Sequence, residues 1–137
     1  MTRKNLKQLT LLRLREAKLL LDNQSYSGAY YLSGYSIEYA LKACISRKIH
    51  ASEIPDKKFI SDCYTHNLKD LVKLAGLEND RATLERSSVN FASNWAIVKD
   101  WNEVARYKTF THIQATELYT SITSRSGGIL SWIRQYW

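Results

Sequence analysis

The scarcity of turn-forming residues constrains this chain most. Its 137 residues include one proline and five glycines. A sandwich, a barrel or a doubly wound sheet needs many tight turns, and such turns draw heavily on both residue types. A few long helices are what remains. The length suits one domain. A chain of this size buries about two thirds of its unfolded surface, so it can fold without disulfides or a structural metal. With 45% hydrophobic and 12% aromatic residues it is not disordered.

The basic start, Met1-Thr2-Arg3-Lys4-Asn5, is not followed by an apolar block with a small-residue cleavage site. No run approaches the roughly 18 apolar residues of a membrane span. Two cysteines, Cys44 and Cys63, are too few for a disulfide framework. The expectation is a cytoplasmic protein with reduced thiols and no membrane contact.

Apolar residues recur at helical spacing through most of the chain. Residues 5–22 carry Leu6, Leu9, Leu12 and Leu19, with Leu11, Leu14, Ala17 and Leu21, and predict a first helix. A break at residues 22–25 offers Ser25 as N-cap of a second helix, 26–48. Gly28 and Gly34 weaken that helix unless another backbone crosses close by, and the first helix folding back is the expected neighbour. Residues 49–66 hold the only proline, Pro55, and predict a loop with one helical turn near 59–64. Asn67 caps a short third helix, 68–76, which Gly76 ends. Leu84, Ser88, Phe91, Trp95 and Val98 share a face of a fourth helix, 79–99. After a loop at 100–108, a last helix spans 111–136, with Gly127-Gly128 as a kink or a close backbone contact. The expected architecture is an all-α, up-and-down helical bundle of four main helices plus one short helix.

The formal charge of +7 is uneven. Residues 1–48 hold nine bases and three acids, residues 49–103 seven bases and nine acids, and residues 104–137 four bases and one acid. If the first and last helices lie side by side, one face is strongly basic and suits a phosphate-bearing partner, although such a surplus also serves solubility alone.

The run Tyr26-Ser27-Gly28-Ala29-Tyr30-Tyr31-Leu32-Ser33-Gly34-Tyr35-Ser36-Ile37-Glu38-Tyr39-Ala40-Leu41-Lys42-Ala43 resembles the second helix of HEPN domains. His66-Asn67-Leu68 followed by Leu71 is similar to the start of that family's short third helix. Trp101 followed by Arg106-Tyr107 is similar to the element before its last helix. The resemblance covers nearly the whole chain. It implies an all-α bundle that forms a homodimer, commonly beside a minimal nucleotidyltransferase in toxin–antitoxin or defence systems. A subset of the family are metal-independent ribonucleases with an Arg-x(4–6)-His motif near the dimer interface.

Arg106 and His112 have five residues between them and satisfy that motif by spacing. A histidine can move the 2′-hydroxyl proton while an arginine stabilises the charged phosphorane. Against this, Tyr107 replaces the small polar residue usual after the arginine, and Arg106 precedes the helix that carries His112. The alternative is structural: Arg106 pairs with an acid such as Glu38, and His112 sits in the first turn of the last helix. Tyr35, Glu38 and Lys42 form a stripe, with Glu38 and Lys42 at the i,i+4 spacing of a helical ion pair. With Arg106 and Tyr107 they make a candidate RNA- or nucleotide-binding groove; the competing reading is an ion pair that only holds the fold. Cys63 and His66 are half a zinc site at most. No Gly-rich phosphate loop precedes a helix. No metal and no cofactor is expected. Two functions follow: a homodimeric RNA- or nucleotide-binding module, or an endoribonuclease using Arg106 and His112. A non-binding adaptor is the third.

Overall fold

The structure is a computed structural model that describes residues 1–50, with the side chain of His50 excepted, and 54–137. Residues 51–53 of the expected 49–66 loop, and the His50 side chain, lie outside the described residues. All regular elements among the described residues are helical: α1 (Arg3–Asp22), α2 (Tyr26–His50), α3 (Lys57–Asp62), α4 (Leu68–Leu74), α5 (Glu78–Ser87), α6 (Val89–Val98), a 3-10 turn (Glu103–Tyr107), α7 (His112–Thr123) and α8 (Ile129–Arg134).

The first two helices match expectation most closely. Thr2 caps α1 by accepting the Asn5 amide at 3.1 Å, and Asn5 returns the contact to the Thr2 amide, completing a capping box. The apolar surface of α1 is only partly used. Leu6, Leu14 and Ala17 are buried, whereas Leu11 and Leu19 stay exposed. Ser25 stands just ahead of α2, and its carbonyl accepts the Ala29 amide. α2 is the central element. Ile37, Ala40, Leu41, Ala43 and Cys44 are buried, and the helix touches α1, α4, the 3-10 turn, α7 and α8. A Cβ at Gly28 would meet Leu20 of α1 at 3.2 Å, as a close α1–α2 crossing requires. Gly34 serves a different neighbour: its missing Cβ makes room for the Trp101 indole, not for α1.

The short α4 follows expectation. Asn67 accepts the Asp70 amide at 3.1 Å. Gly76 takes φ +75°, with Gly76 N–H bonding Lys73 O and Leu77 N–H bonding Val72 O, the paired bonds of a Schellman cap.

The expected fourth and last helices each divide. At Ser88 the backbone turns extended (φ −133°, ψ 112°), and the hydroxyl accepts the Phe91 amide at 3.1 Å. A serine assigned to the apolar face is in fact the N-cap that ends α5 and starts α6, because its side chain competes for backbone donors. The last helix breaks between Thr123 and Ile129, where Gly127 takes φ +70°. Any Cβ there would approach the Phe91 amide nitrogen to 2.6 Å, and Asn94 donates to Gly127 O at 2.9 Å. Of the two readings of this glycine pair the close backbone contact holds, and the helix ends there instead of kinking. The bundle thus has more and shorter helices than four plus one.

These breaks let the C-terminal aromatics fold inward. Trp132 is buried edge-on to Phe91, with ring centroids 5.2 Å apart. Its indole N–H and the Tyr136 hydroxyl both donate to Asp80 of α5, at 2.7 and 3.0 Å. No described helix is long and apolar enough to cross a membrane.

Candidate functional site

Tyr35, Glu38 and Lys42 lie on consecutive turns of α2. Glu38 is 1% exposed, and a buried carboxylate must be paired. Its Oε1 accepts Lys42 Nζ at 2.9 Å, the i,i+4 pair the spacing predicts. The second partner differs from expectation. Oε1 also meets His66 Nδ1 at 2.9 Å, whereas Arg106 does not pair with Glu38. His66 reaches the site because the Asn67 cap aims the start of α4 at α2.

Tyr35 organises the aromatic side of this site. Its ring packs edge-on against Trp101 at 5.2 Å, Tyr31 at 5.0 Å and His66 at 6.3 Å. Burial, followed by the Tyr31 hydroxyl and the charge of Glu38, raises the Tyr35 pKa, so the phenol stays protonated and able to donate. Two polar atoms here are buried without a hydrogen-bond partner: Glu38 Oε2 and Trp101 Nε1. Such atoms are uncommon in folded proteins.

Arg106 and Tyr107 close the 3-10 turn, whose start is capped by Asn102 accepting the Val104 amide at 2.9 Å. Both side chains are exposed, Tyr107 at 76%. The Arg106 guanidinium lies 4.8 Å from the centroid of the Tyr107 ring. Its pKa is raised first by Tyr107 and further by Tyr31. Arg106 thus joins the Tyr35 aromatics through Tyr31, not through Glu38. No carboxylate pairs with it among the described residues.

His112 opens α7 immediately after the Thr111 N-cap, in the first turn as the structural alternative has it. It sits against Tyr26, with centroids 4.9 Å apart, and lines a shallow groove of about 320 Å³ with Ile97, Ile113, Thr116, Glu117 and Thr120. Between it and Arg106, Phe110 stacks on Tyr30 at 3.7 Å. Within one chain, then, Arg106 and His112 are attached to different neighbours, Tyr107 and Tyr26.

Cys63 and His66 do not build a metal centre: among the described residues no three histidine, cysteine or carboxylate groups gather closely enough to hold an ion. Burial pushes the Cys44 thiol up to about 12, and it donates to Ile133 O at 3.7 Å. It is a packing residue, not a nucleophile.

His66 and Trp101 are the site residues that spacing did not select. His66 was legible only as part of the HEPN-like pattern, since 28 residues separate it from Glu38. A glycine at position 34, one turn before Glu38, was the available sign that a bulky group approaches there.

No protein-family model, curated protein or solved structure matches the chain.

Proposed function

We propose that the chain is a HEPN-type helical module that binds RNA or a nucleotide and acts as a homodimer beside a minimal nucleotidyltransferase in a toxin–antitoxin or defence setting. The observation that carries this reading is the exposed Arg106–Tyr107 pair. A guanidinium with no carboxylate partner among the described residues, held over an aromatic ring, offers one phosphate its counter-charge and one base a stacking face. Tyr31, which also acts on the Arg106 guanidinium, packs edge-on against Tyr35 of the helix that carries the Glu38–Lys42 pair. The alternative is a metal-independent endoribonuclease toxin whose Arg106 and His112 come from two subunits. It requires both side chains to face solvent, and both do.

Labelled single-stranded RNA and free nucleotides are titrated, in chelator, into wild type, Arg106→Ala, Tyr107→Ala and His112→Ala. The binding reading expects Arg106→Ala and Tyr107→Ala to weaken affinity by about tenfold or more, with the RNA intact. Cleavage that survives chelator and vanishes in Arg106→Ala and His112→Ala would establish the enzyme instead. Neither binding nor cleavage leaves the adaptor. A one-chain mass by light scattering at micromolar concentration removes the homodimer.

A further inference from the structure

The strongest charge cluster lies away from Arg106, at the other end of α2. Arg3 and Lys7 from α1 and Arg134 from α8 converge around Trp137, and the charge of Arg47 from α2 acts on Lys7. Arg3 Nη2 donates to Trp137 O at 2.6 Å. The Lys7 ammonium and the Arg134 guanidinium each lie 5.3 Å from the centroid of its indole ring. Burial, then the charges of Arg3, Arg47 and Arg134, hold Lys7 below its ordinary pKa. None of them pairs with an acidic side chain among the described residues. A carboxylate at Trp137, where the chain ends there, still leaves a surplus of cations. Nor does α1 relieve the strain: its first turn has no acid, so Arg3 stands unfavourably at the positive end of the helix dipole.

We infer that Arg3, Lys7 and Arg134, gathered on Trp137, together with Arg47 of α2, form an anchoring site for the phosphodiester backbone of a single-stranded nucleic acid. Three of the four are guanidinium groups, whose planar fork meets two phosphate oxygens at once. The indole and the Trp137 carbonyl hold Arg3, Lys7 and Arg134 in place beforehand, which lowers the entropy lost on binding. The cations come from three helices and converge. They do not line the polar face of one amphipathic helix, as in a membrane-surface anchor. Arg47 is twelve residues beyond Tyr35 on α2, about 18 Å along its axis, so this anchor is separate from the Arg106 groove. It shares a ligand class with the proposed function but none of its residues, and either can fail alone.

The test is fluorescence anisotropy with a labelled oligouridylate of roughly 20 nucleotides, across about 50–200 mM salt. It compares wild type with the triple variant Lys7→Gln/Arg47→Gln/Arg134→Gln, with Arg106→Gln, and with a control that removes equal charge elsewhere, Lys57→Gln/Arg86→Gln/Arg125→Gln. The triple variant is expected to bind about tenfold more weakly or worse, with a salt slope smaller by about two, while the control stays near wild type. Wild-type affinity in the triple variant overturns the anchor, and the Arg106→Gln result then judges the groove separately. An equal loss in the control, or no RNA binding by wild type, also overturns it. So does tighter binding to phosphatidylserine vesicles with the same sensitivity to the triple variant, which would assign the cluster to a membrane. If circular dichroism shows the triple variant unfolded, the single exposed change Arg134→Gln decides, with an expected loss of about threefold and a slope smaller by about 0.7.

Discussion

Two tryptophans in this bundle receive cations, and they receive them differently. Trp95 is buried, and Arg81 lies over it at 5.6 Å while bonding Glu78 and Glu85 on its own helix. Trp137 is half-buried and holds Lys7 and Arg134, with Arg3 on its carbonyl and no acidic side chain pairing with any of the three among the described residues. The same contact has opposite consequences. At Trp95 the charge is compensated, so the cation covers and steadies the core. At Trp137 no acidic side chain among the described residues compensates the charge. The contrast extends to the α2 site, where Glu38 Oε1 meets both Lys42 and His66 and Arg106 has no acid partner among the described residues. In this protein, whether a charge has a partner on a neighbouring helical turn separates groups that hold the fold from groups free to meet a ligand.

The largest effect should come from breaking the most deeply compensated charge. Lys42→Ala leaves the Glu38 carboxylate buried with only His66 on Oε1, and stability should fall by about 3 kcal/mol. Calorimetry checks this, and an unchanged melting temperature would remove Glu38 from the compensated class. Arg81→Ala should cost about 1–2 kcal/mol in urea denaturation, through loss of the cation–π contact and two partly exposed ion pairs. RNA affinity should not change in that variant; if it does, the division proposed for the two tryptophans fails.

Acid should narrow the gap between Arg81→Ala and wild type. Hydrogen bonding to Arg81 lowers the Glu78 pKa below 4.5. A depressed folded-state pKa gives stability that is present above the unfolded value and is lost as pH falls through the folded one. Glu78 is 41% exposed, so solvent screening keeps this part under about 1 kcal/mol. A stability difference that stays constant between about pH 6 and pH 3 would contradict the assignment. The smallest expected effect belongs to the uncompensated group. Arg134→Gln should change stability by no more than about 0.5 kcal/mol in either direction, since removing one of several like charges offsets the lost ring contact. A loss above about 2 kcal/mol would make Arg134 structural.

Much of the fold was legible because its signals are local. The Asn67 cap, the Gly76 stop and the Glu38–Lys42 spacing each act within one or two turns, and each appears where expected. The helix breaks were harder to read. Ser88 and residues 124–128 lie inside apolar patterns that continue across them, and the deciding interactions are a side-chain cap and the approach of Gly127 to the Phe91 amide. The candidate site was legible residue by residue but not pair by pair. Tyr35, Glu38, Lys42, Arg106 and Tyr107 were all selected, yet Arg106 faces Tyr31 and Tyr107, and the acid's long-range partner is His66.

By itself the sequence determined an all-helical chain, because one proline and five glycines cannot supply the turns of a sheet and the apolar residues recur at helical spacing. It also placed the positive surplus at the two ends of the chain. Only the tertiary structure decided which charges meet. The packing of α4 against α2 gave Glu38 to His66, and the segment that follows α8 brought Trp137 to Arg3 and Lys7 of α1. Coulomb attraction and repulsion act over a few ångströms of space, and residues 28 or 134 positions apart in the chain acquire that proximity only when the core has packed.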